Sequence, residues 1–411
     1  MLSETRHLSS LDAREQDAWR RLSRRAVEQN PYFDVDFLLT AHRRLRPDLD
    51  PKVAMVSAGG ELRAVLPFLE QRSVKNVPVI VRSTDAPVGA SVTDLHIPLV
   101  DKDCVSQAMG GLLTELGSSK VGLPVVVDLA VHRLEGPVWD ALERETARRG
   151  GRLMLRGEKS RGAFHIPGER ADRSTPVPVS PWPVGRSVVA HLSRSRRQSL
   201  RRALAALGAR EGPVTWVDRT SDPAAIDEFM TIEHAGWKGD ADRGGEGVLA
   251  TSGGETWFRE TTDRLRSVGD LFVGGLYAGE RCLYLTVDIR SGDQWFGMRD
   301  VYDERFAAYS PGTLGRLVGM AWFAASPPVT FDTCVSPTLY PQNASLYPDR
   351  MRLGRVLVAG NTAANLGFRA VELARSMRPA ANDTQAVFPR PSTGARAMSW
   401  GGGPGGPQEV R

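Results

Sequence analysis

Residues 309–315, Tyr-Ser-Pro-Gly-Thr-Leu-Gly, stand at the head of an apolar stripe formed by Leu314, Leu317, Val318, Ala321 and Trp322. That spacing marks one buried helix face. Ser310 suits an N-cap and Pro311 the first helical position, where no N–H is needed. Gly312, Gly315 and Gly319 keep side-chain bulk away from the first turns. A helix start with free amides can hold a phosphate; the same stretch also reads as a well-capped core helix. Positive charge gathers at Arg194, Arg196, Arg197, Arg201, Arg202 and Arg210, on what reads as one helix. It is either an anion-binding face or a solvated one.

Several acids could move protons or hold a cation. Glu233 lies one helical turn from Trp237, so both can face one pocket, and a partly buried carboxylate there accepts a proton near neutrality. His234 is its neighbour. Asp300 and Asp303 flank Tyr302 just before the Ser-Pro-Gly stretch. Asp332 stands between Phe331 and Thr333 in an expected buried strand, where a carboxyl needs a partner or a purpose. Cys334 shares its side of that strand; no histidine or helix start is near it in sequence, so it reads as a core thiol.

The elements that must position these groups follow from periodicity and turns. Helices are expected over 12–29 and after Asn30-Pro31, followed by a hairpin turning at Gly59-Gly60. Helix, strand, helix and strand follow, up to about residue 166. A proline-rich stretch, 171–186, reads as a linker. A comparable order then begins again: helix 188–208, strand, two helices, three antiparallel strands turning at 278–279 and 291–292, the Ser-Pro-Gly helix, and strands at 328–335 and 348–360. A last helix is expected over 361–377. The tail, 379–411, is rich in Gly and Pro and is expected to be disordered.

Four stretches together resemble the CelD-like branch of the GNAT acyltransferases, and more distantly the tandem FemABX transferases. They are HLSRSRRQSLRRALAALG (191–208), EFMTIEHAGWKGD (228–240), the run 257–317 that ends in YD…F…YSPG, and VTFDTCV (329–335). The resemblance implies an α/β fold of α+β type, with two GNAT-like lobes, each a mixed, mainly antiparallel sheet flanked by helices. Residues 1–170 would be a degenerate lobe shaping the acceptor cleft, and 187–378 the catalytic lobe. Acetyl-CoA or another acyl-CoA would be the co-substrate, held by Tyr309, Ser310, Gly312, Thr313, Leu314 and Gly315, with strand 294–301 lending an N–H to the thioester. GNAT proteins usually carry Arg or Gln at the position of Tyr309 and Gly or Ala at that of Leu314.

Acyl transfer to an amine needs a base, an acid for the departing thiolate and a place for the acceptor. Glu233 and Asp332 are expected as proton acceptors or acceptor-site carboxylates, and Tyr347, or Tyr340, as the acid. Trp237, Lys238, Arg299, Asp300 and Asp303 are expected to line the acceptor site. The acceptor would be an amine on a small molecule, sugar or cell-envelope precursor. The FemABX likeness adds an alternative in which aminoacyl-tRNA is the donor, read by Arg197 and Arg201. A further alternative is a non-catalytic GNAT-fold protein of polysaccharide biosynthesis.

Composition bounds these readings. The chain has 411 residues, 41% hydrophobic and 25% charged, with a net charge of +5, which favours local anion attraction over a general affinity for nucleic acid. Three cysteines far apart and no Cys/His cluster argue against a disulfide framework or a structural zinc, so no metal is expected. The polar N-terminus and the lack of any long apolar run predict no signal peptide and no membrane span, hence a cytoplasmic protein.

Overall fold

The computed structural model describes residues 1–166, 188–360 and 364–365, apart from short interruptions at 75–76, 86–87, 89–91, 241, 243, 326–327, 338–339, 341–342 and 344. The proline-rich 171–186 stretch, most of the helix expected over 361–377 and the 379–411 tail lie outside these residues.

The first half opens with β1 (Leu2–His7), a strand whose polar sequence gives no period-two signal. Helix α1 (Ala13–Arg25) starts at a capping box between Asp12 and Glu15, and α2 (Val35–Leu45) follows the Pro31–Phe33 turn. Strands β2 (Lys52–Ala58) and β3 (Glu61–Val74) turn at Gly59 and Gly60, both at positive φ, where a side chain would be strained. Then come β4 (Val77–Ser83), the short β5 (Leu99–Val100), α3 (Val105–Gly117), β6 (Val125–Arg133), α4 (Pro137–Arg148) and β7 (Arg152–Ile166).

The second half repeats this order after an added helix, α5 (Arg194–Glu211). It runs β8 (Val214–Asp218), α6 (Ala224–Ala235), α7 (Gly254–Val268), β9 (Leu271–Ala278), β10 (Arg281–Ser291), β11 (Gln294–Tyr302), α8 (Pro311–Ala324), β12 (Val329–Asp332) and β13 (Asp349–Ala359). In both halves a strand and two helices precede an antiparallel meander. A helix then crosses to a parallel neighbour, β4 to β6 through α3 and β11 to β12 through α8. The second half has an irregular segment where the first has α4. The architecture is a mixed α/β fold, with a large, mostly antiparallel sheet flanked by helices.

The halves exchange their last strands. The hydrogen-bonded order is β1-β2-β3-β4-β6-β13-β7-β12-β11-β10-β9-β8, with β5 on β3. Thus β13 completes the first lobe beside β6, and β7 completes the second beside β12. Each exchange carries the same ion pair. Asp128 ends the parallel pairing of β6 with β4 and stands opposite Leu357; Arg355, two residues earlier on β13, grips it at 2.7 and 2.5 Å. Asp332 ends the pairing of β12 with β11 and stands opposite Ala163; Arg161, two residues earlier on β7, grips it at 2.5 Å. Both carboxylates are buried. A buried charge must be paired, so each lobe depends on an arginine from the other half's strand. Sequence boundaries at 170 and 187 therefore separate the chain but not the folded lobes.

One hydrophobic core runs through the first lobe and continues beneath α6 and α7. Helix α2 packs on α7, with Phe37 edge-on to Trp257 at 6.1 Å. A second core, under α5 and α8, fills the other face of the second lobe.

Candidate active site

Strands β11 and β12 pair only over Gln294–Phe296 and Thr330–Asp332. Two local features then part them. Met298 is an extra residue on β11: Val287 pairs with Arg299, while the next residue, Asp288, pairs with Gly297. Such a bulge bends its strand and frees a backbone group. On the other side Cys334 turns left-handed at φ 52°, with its N–H held 3.0 Å from the Asp332 carboxylate. Gly297 lies where they diverge; a Cβ there would sit 2.5 Å from the Thr333 carbonyl. Tyr32, from the first lobe, reaches across and donates to the Gly297 carbonyl at 2.8 Å.

Helix α8 starts beside this opening. The expected side-chain cap is absent: Ser310 takes a left-handed conformation, φ 54° and ψ 49°, and its hydroxyl does not cap the helix. Its N–H is tied back to Ala307, which sets the sharp entry from the Glu304–Tyr309 turn. Pro311 fills the first position as expected. The amides of Gly312 and Thr313 have no intrahelical acceptor. The glycines play different parts. A Cβ on Gly315 would lie 2.2 Å from the Tyr284 ring, and one on Gly319 3.1 Å from Trp216. These two let α8 press onto the sheet; they do not open its tip. Leu314 is core, and only its backbone could serve a ligand. Tyr309 packs at the edge of that core, with its hydroxyl 3.5 Å from Arg210. The usable tip thus narrows to Ser310–Thr313.

Opposed residues in a sheet share a face, so Tyr284 with Tyr302 and Thr286 with Asp300 lie together beneath α8. Asp300 is the hub. Its carboxylate meets Arg316 of α8 at 2.6 Å and accepts from the Tyr284 hydroxyl at 3.2 Å. Lys238 donates to its backbone carbonyl at 2.6 Å. Burial would raise this carboxyl, but Arg316, Lys238 and the Tyr284 hydroxyl outweigh it and hold it below the ordinary range. Burial pulls the Lys238 ammonium down, against Asp300. Tyr347, buried and stacked on Phe164, has its hydroxyl pushed up by burial, with Arg316 opposing and Asp300 and Asp288 adding. Tyr340 is pushed up to about 12 by burial, then by Asp300. Both phenols keep their protons, as an acid must.

The opposite face of β11 carries a separate pair. Arg299 points to α6, where its guanidinium meets Glu233 at 2.9 and 3.1 Å and the Glu246 carbonyl at 2.8 Å. Glu233 is buried, and its other oxygen takes the Val248 N–H at 2.6 Å. Glu233 is not the free base expected of it: both oxygens are engaged. The neighbouring His234 is exposed. Trp237 starts a short turn, with its N–H on Glu304 at 2.7 Å and its ring 6.4 Å from Tyr340. Asp303 caps the Glu304–Tyr309 turn and pairs with Arg305. It is the farthest from the expected acceptor role, being occupied by local structure. Asp332 is likewise held, by Arg161. Cys334 is buried and its thiol is pushed well up by burial, then by Asp332. Arg197 folds onto the carbonyls of Val189, Ala190 and Leu192.

Tyr284, Asp288 and Arg316 also join the site; Tyr284 and Asp288 do so without a clear sign in the sequence. Arg316 alone had one, four residues from Gly312 on the same helix face.

Residues 194–336 match the family model of the acetyltransferase (GNAT) domain. That segment belongs to the GNAT superfamily and gives the chain an acyltransferase domain. The first half repeats its order of elements and its strand pairing, so the protein is a two-lobed GNAT-fold protein. Among solved structures, FemX is 12% identical, over 90% of this chain and 100% of that one, with a TM-score of 0.49. A conserved protein of unknown function from Bacteroides thetaiotaomicron is 10% identical over 85% and 98%, with a TM-score of 0.48. The C-terminal domain of a putative lysylphosphatidylglycerol synthetase from Agrobacterium fabrum is 14% identical over 87% and 95%, with a TM-score of 0.44. No curated protein matches the chain significantly. No helix among the described residues is long and apolar enough to cross a membrane.

Proposed function

We propose that the protein transfers an acyl group, acetyl in the simplest case, from acyl-CoA to an amine of a small molecule, sugar or cell-envelope precursor. The observation that carries this reading is the uncapped start of α8 beside the bulged, parting strands β11 and β12. Free amides at a helix start suit a pyrophosphate. The residues fit that ligand at Ser310–Thr313: no acidic side chain stands in the first turn, and Gly312 keeps its backbone approachable. A bound acyl-CoA would supply the activated acyl carbon. Tyr347 or Tyr340, both of which keep their protons, would supply one to the departing thiolate. Lys238 and Trp237 would line the acceptor site, and Glu233 holds Arg299 in place. Calorimetric titration with acetyl-CoA tests the reading; binding at or below about 1 mM is expected, and none would remove it.

Asp288 favours a second reading of the donor. It is buried, its carboxyl is pushed well above its ordinary value by burial, and its hydrogen bond comes from Thr286 at 3.0 Å. Its electrostatic neighbour Asp300 shares the same sheet face. A cationic acyl group, such as an aminoacyl ester on tRNA, would satisfy such a site; acetyl would not. Asp288→Asn is expected to leave acetyl-CoA binding unchanged and to weaken any aminoacyl donor.

A further inference from the structure

Loop 92–98 of the first lobe faces the opening in the second. Asn30 clamps it by donating to the carbonyls of Leu95 at 3.1 Å and Ile97 at 2.9 Å. His96 is stacked on Phe33 at 5.8 Å. Arg161 donates to the Asp94 carbonyl at 2.7 Å with one nitrogen while gripping Asp332 with another. The Asp94 backbone is thus fixed against the very strand end where β12 leaves β11. Asp94 as a residue is half-buried, and its carboxyl accepts no hydrogen bond from a described residue. Around it stand Arg161 on β7, Asp332 and Cys334 at the end of β12, Arg299 on β11, and Tyr32, whose hydroxyl sits on Gly297 next to the bulge.

Among the described residues, the other acids of the site are engaged, Asp288 by the Thr286 hydroxyl. Glu233 is held by Arg299 and the Val248 amide, Asp332 by Arg161 and the Cys334 amide, and Asp300 by Arg316 and Tyr284. We propose that Asp94, supplied by the first lobe, is the general base that takes a proton from the acceptor's ammonium group at the second lobe's cleft. This rests on the acyltransferase reading. The acceptor then carries a primary amine and enters between the lobes. Its ammonium gives one proton to the Asp94 carboxylate. The freed lone pair forms the C–N bond to the acyl carbon as the C–S bond breaks, the electron pair leaving on sulfur. Tyr347 or Tyr340 protonates that thiolate, the second amine proton restores the phenol, and Asp94 returns its proton to solvent.

The environment suits the task. Burial pushes the carboxyl up to about 7, with Asp332 adding and Arg161 and Arg299 opposing. A base poised near neutrality combines a usable ionised fraction with a real pull on the proton. Because the base must be ionised, turnover should rise with pH through about 7.

The test uses the full chain as wild type, Asp94→Asn and Asp94→Glu, each checked by thermal unfolding. Acetyl-CoA binding is measured by calorimetry, and thiol release is followed with ethanolamine, glucosamine and spermidine from about pH 5.5 to about pH 9. Asp94→Asn is expected to bind acetyl-CoA as wild type does. It should release thiol at least about 100-fold more slowly and lose the rise near neutrality, while Asp94→Glu recovers part of the rate. In the ligand-free protein, the Asp94 carboxyl carbon resonance should titrate near neutrality. A midpoint below about 5 overturns the assignment. So does an Asn variant with wild-type turnover and pH profile, or a wild type that binds acetyl-CoA and releases no thiol with any of the amines. A wild type that does not bind acetyl-CoA removes the acyltransferase reading, and this base with it.

Discussion

The two lobes share their order of elements and part company at one helix start. In the first, α3 begins after Asp101-Lys102-Asp103-Cys104, and Asp101 is fully buried between Arg25 and Arg63 at 3.0 and 2.7 Å. Its second oxygen takes the Asp103 N–H. Burial would raise this carboxyl, but that N–H and the two arginines hold it low. The segment entering α3 is thus fixed by a buried carboxylate and two arginines. Neither helix has an acid in its first turn, but the four residues ahead of α8, Ala307-Ala308-Tyr309-Ser310, carry no charge. Its neighbouring arginine, Arg316, is turned toward Asp300 beneath the helix. The difference teaches that the duplicated fold supplies the scaffold twice, while the segment leading into the crossing helix is built differently in each copy.

The largest effect should come from the two ion pairs that the lobes have in common. Arg161→Met and Arg355→Met each strand a buried carboxylate and should each cost about 3–5 kcal/mol in urea unfolding. If only one is costly, the exchange of strands is not energetically reciprocal. Acid should separate the lobes next. Burial lowers His96 and His132 of the first lobe to about 4, whereas the described histidines of the second, His165 on β7, His191 and His234, are exposed. A histidine depressed by folding is protonated more readily in the unfolded chain. Stability is therefore full above about pH 6.5, falls as pH drops toward about 4 and levels off below. The two together should remove up to about 6 kcal/mol, and His96→Gln with His132→Gln should flatten that slope. The smallest effect is the most specific one. Gly312→Trp should weaken acetyl-CoA binding by about 30-fold, or about 2 kcal/mol, by calorimetry. Ser106→Trp, at the matching position of α3, should leave it unchanged. Equal effects at the two tips would erase the distinction drawn here.

Much of the fold was legible before any coordinates. The hairpin at Gly59-Gly60, the meander turning at 278–279 and 291–292, and the helix after Pro311 follow from periodicity and turn chemistry, which act over a few residues. Strand β1 was not legible, because an edge strand of polar residues satisfies its backbone through β2 and shows no alternation. The site was legible in part. Gly312, Asp300, Lys238 and Tyr347 stand near the parting strands, but Glu233 and Asp332 are held by Arg299 and Arg161, which no local pattern links to them, and Asp303 is taken by Arg305 two residues on. Asp94 and Tyr32 come from the other lobe altogether.

The order of elements and the glycine-flanked helix start were written into the sequence alone, since each depends on near neighbours along the chain. Which carboxylates are tied up and which stays open was settled only when β7 and β13 crossed between the lobes. Those contacts join residues 171 to 227 positions apart, and an ion pair's worth depends on distance and burial, neither of which a linear pattern encodes.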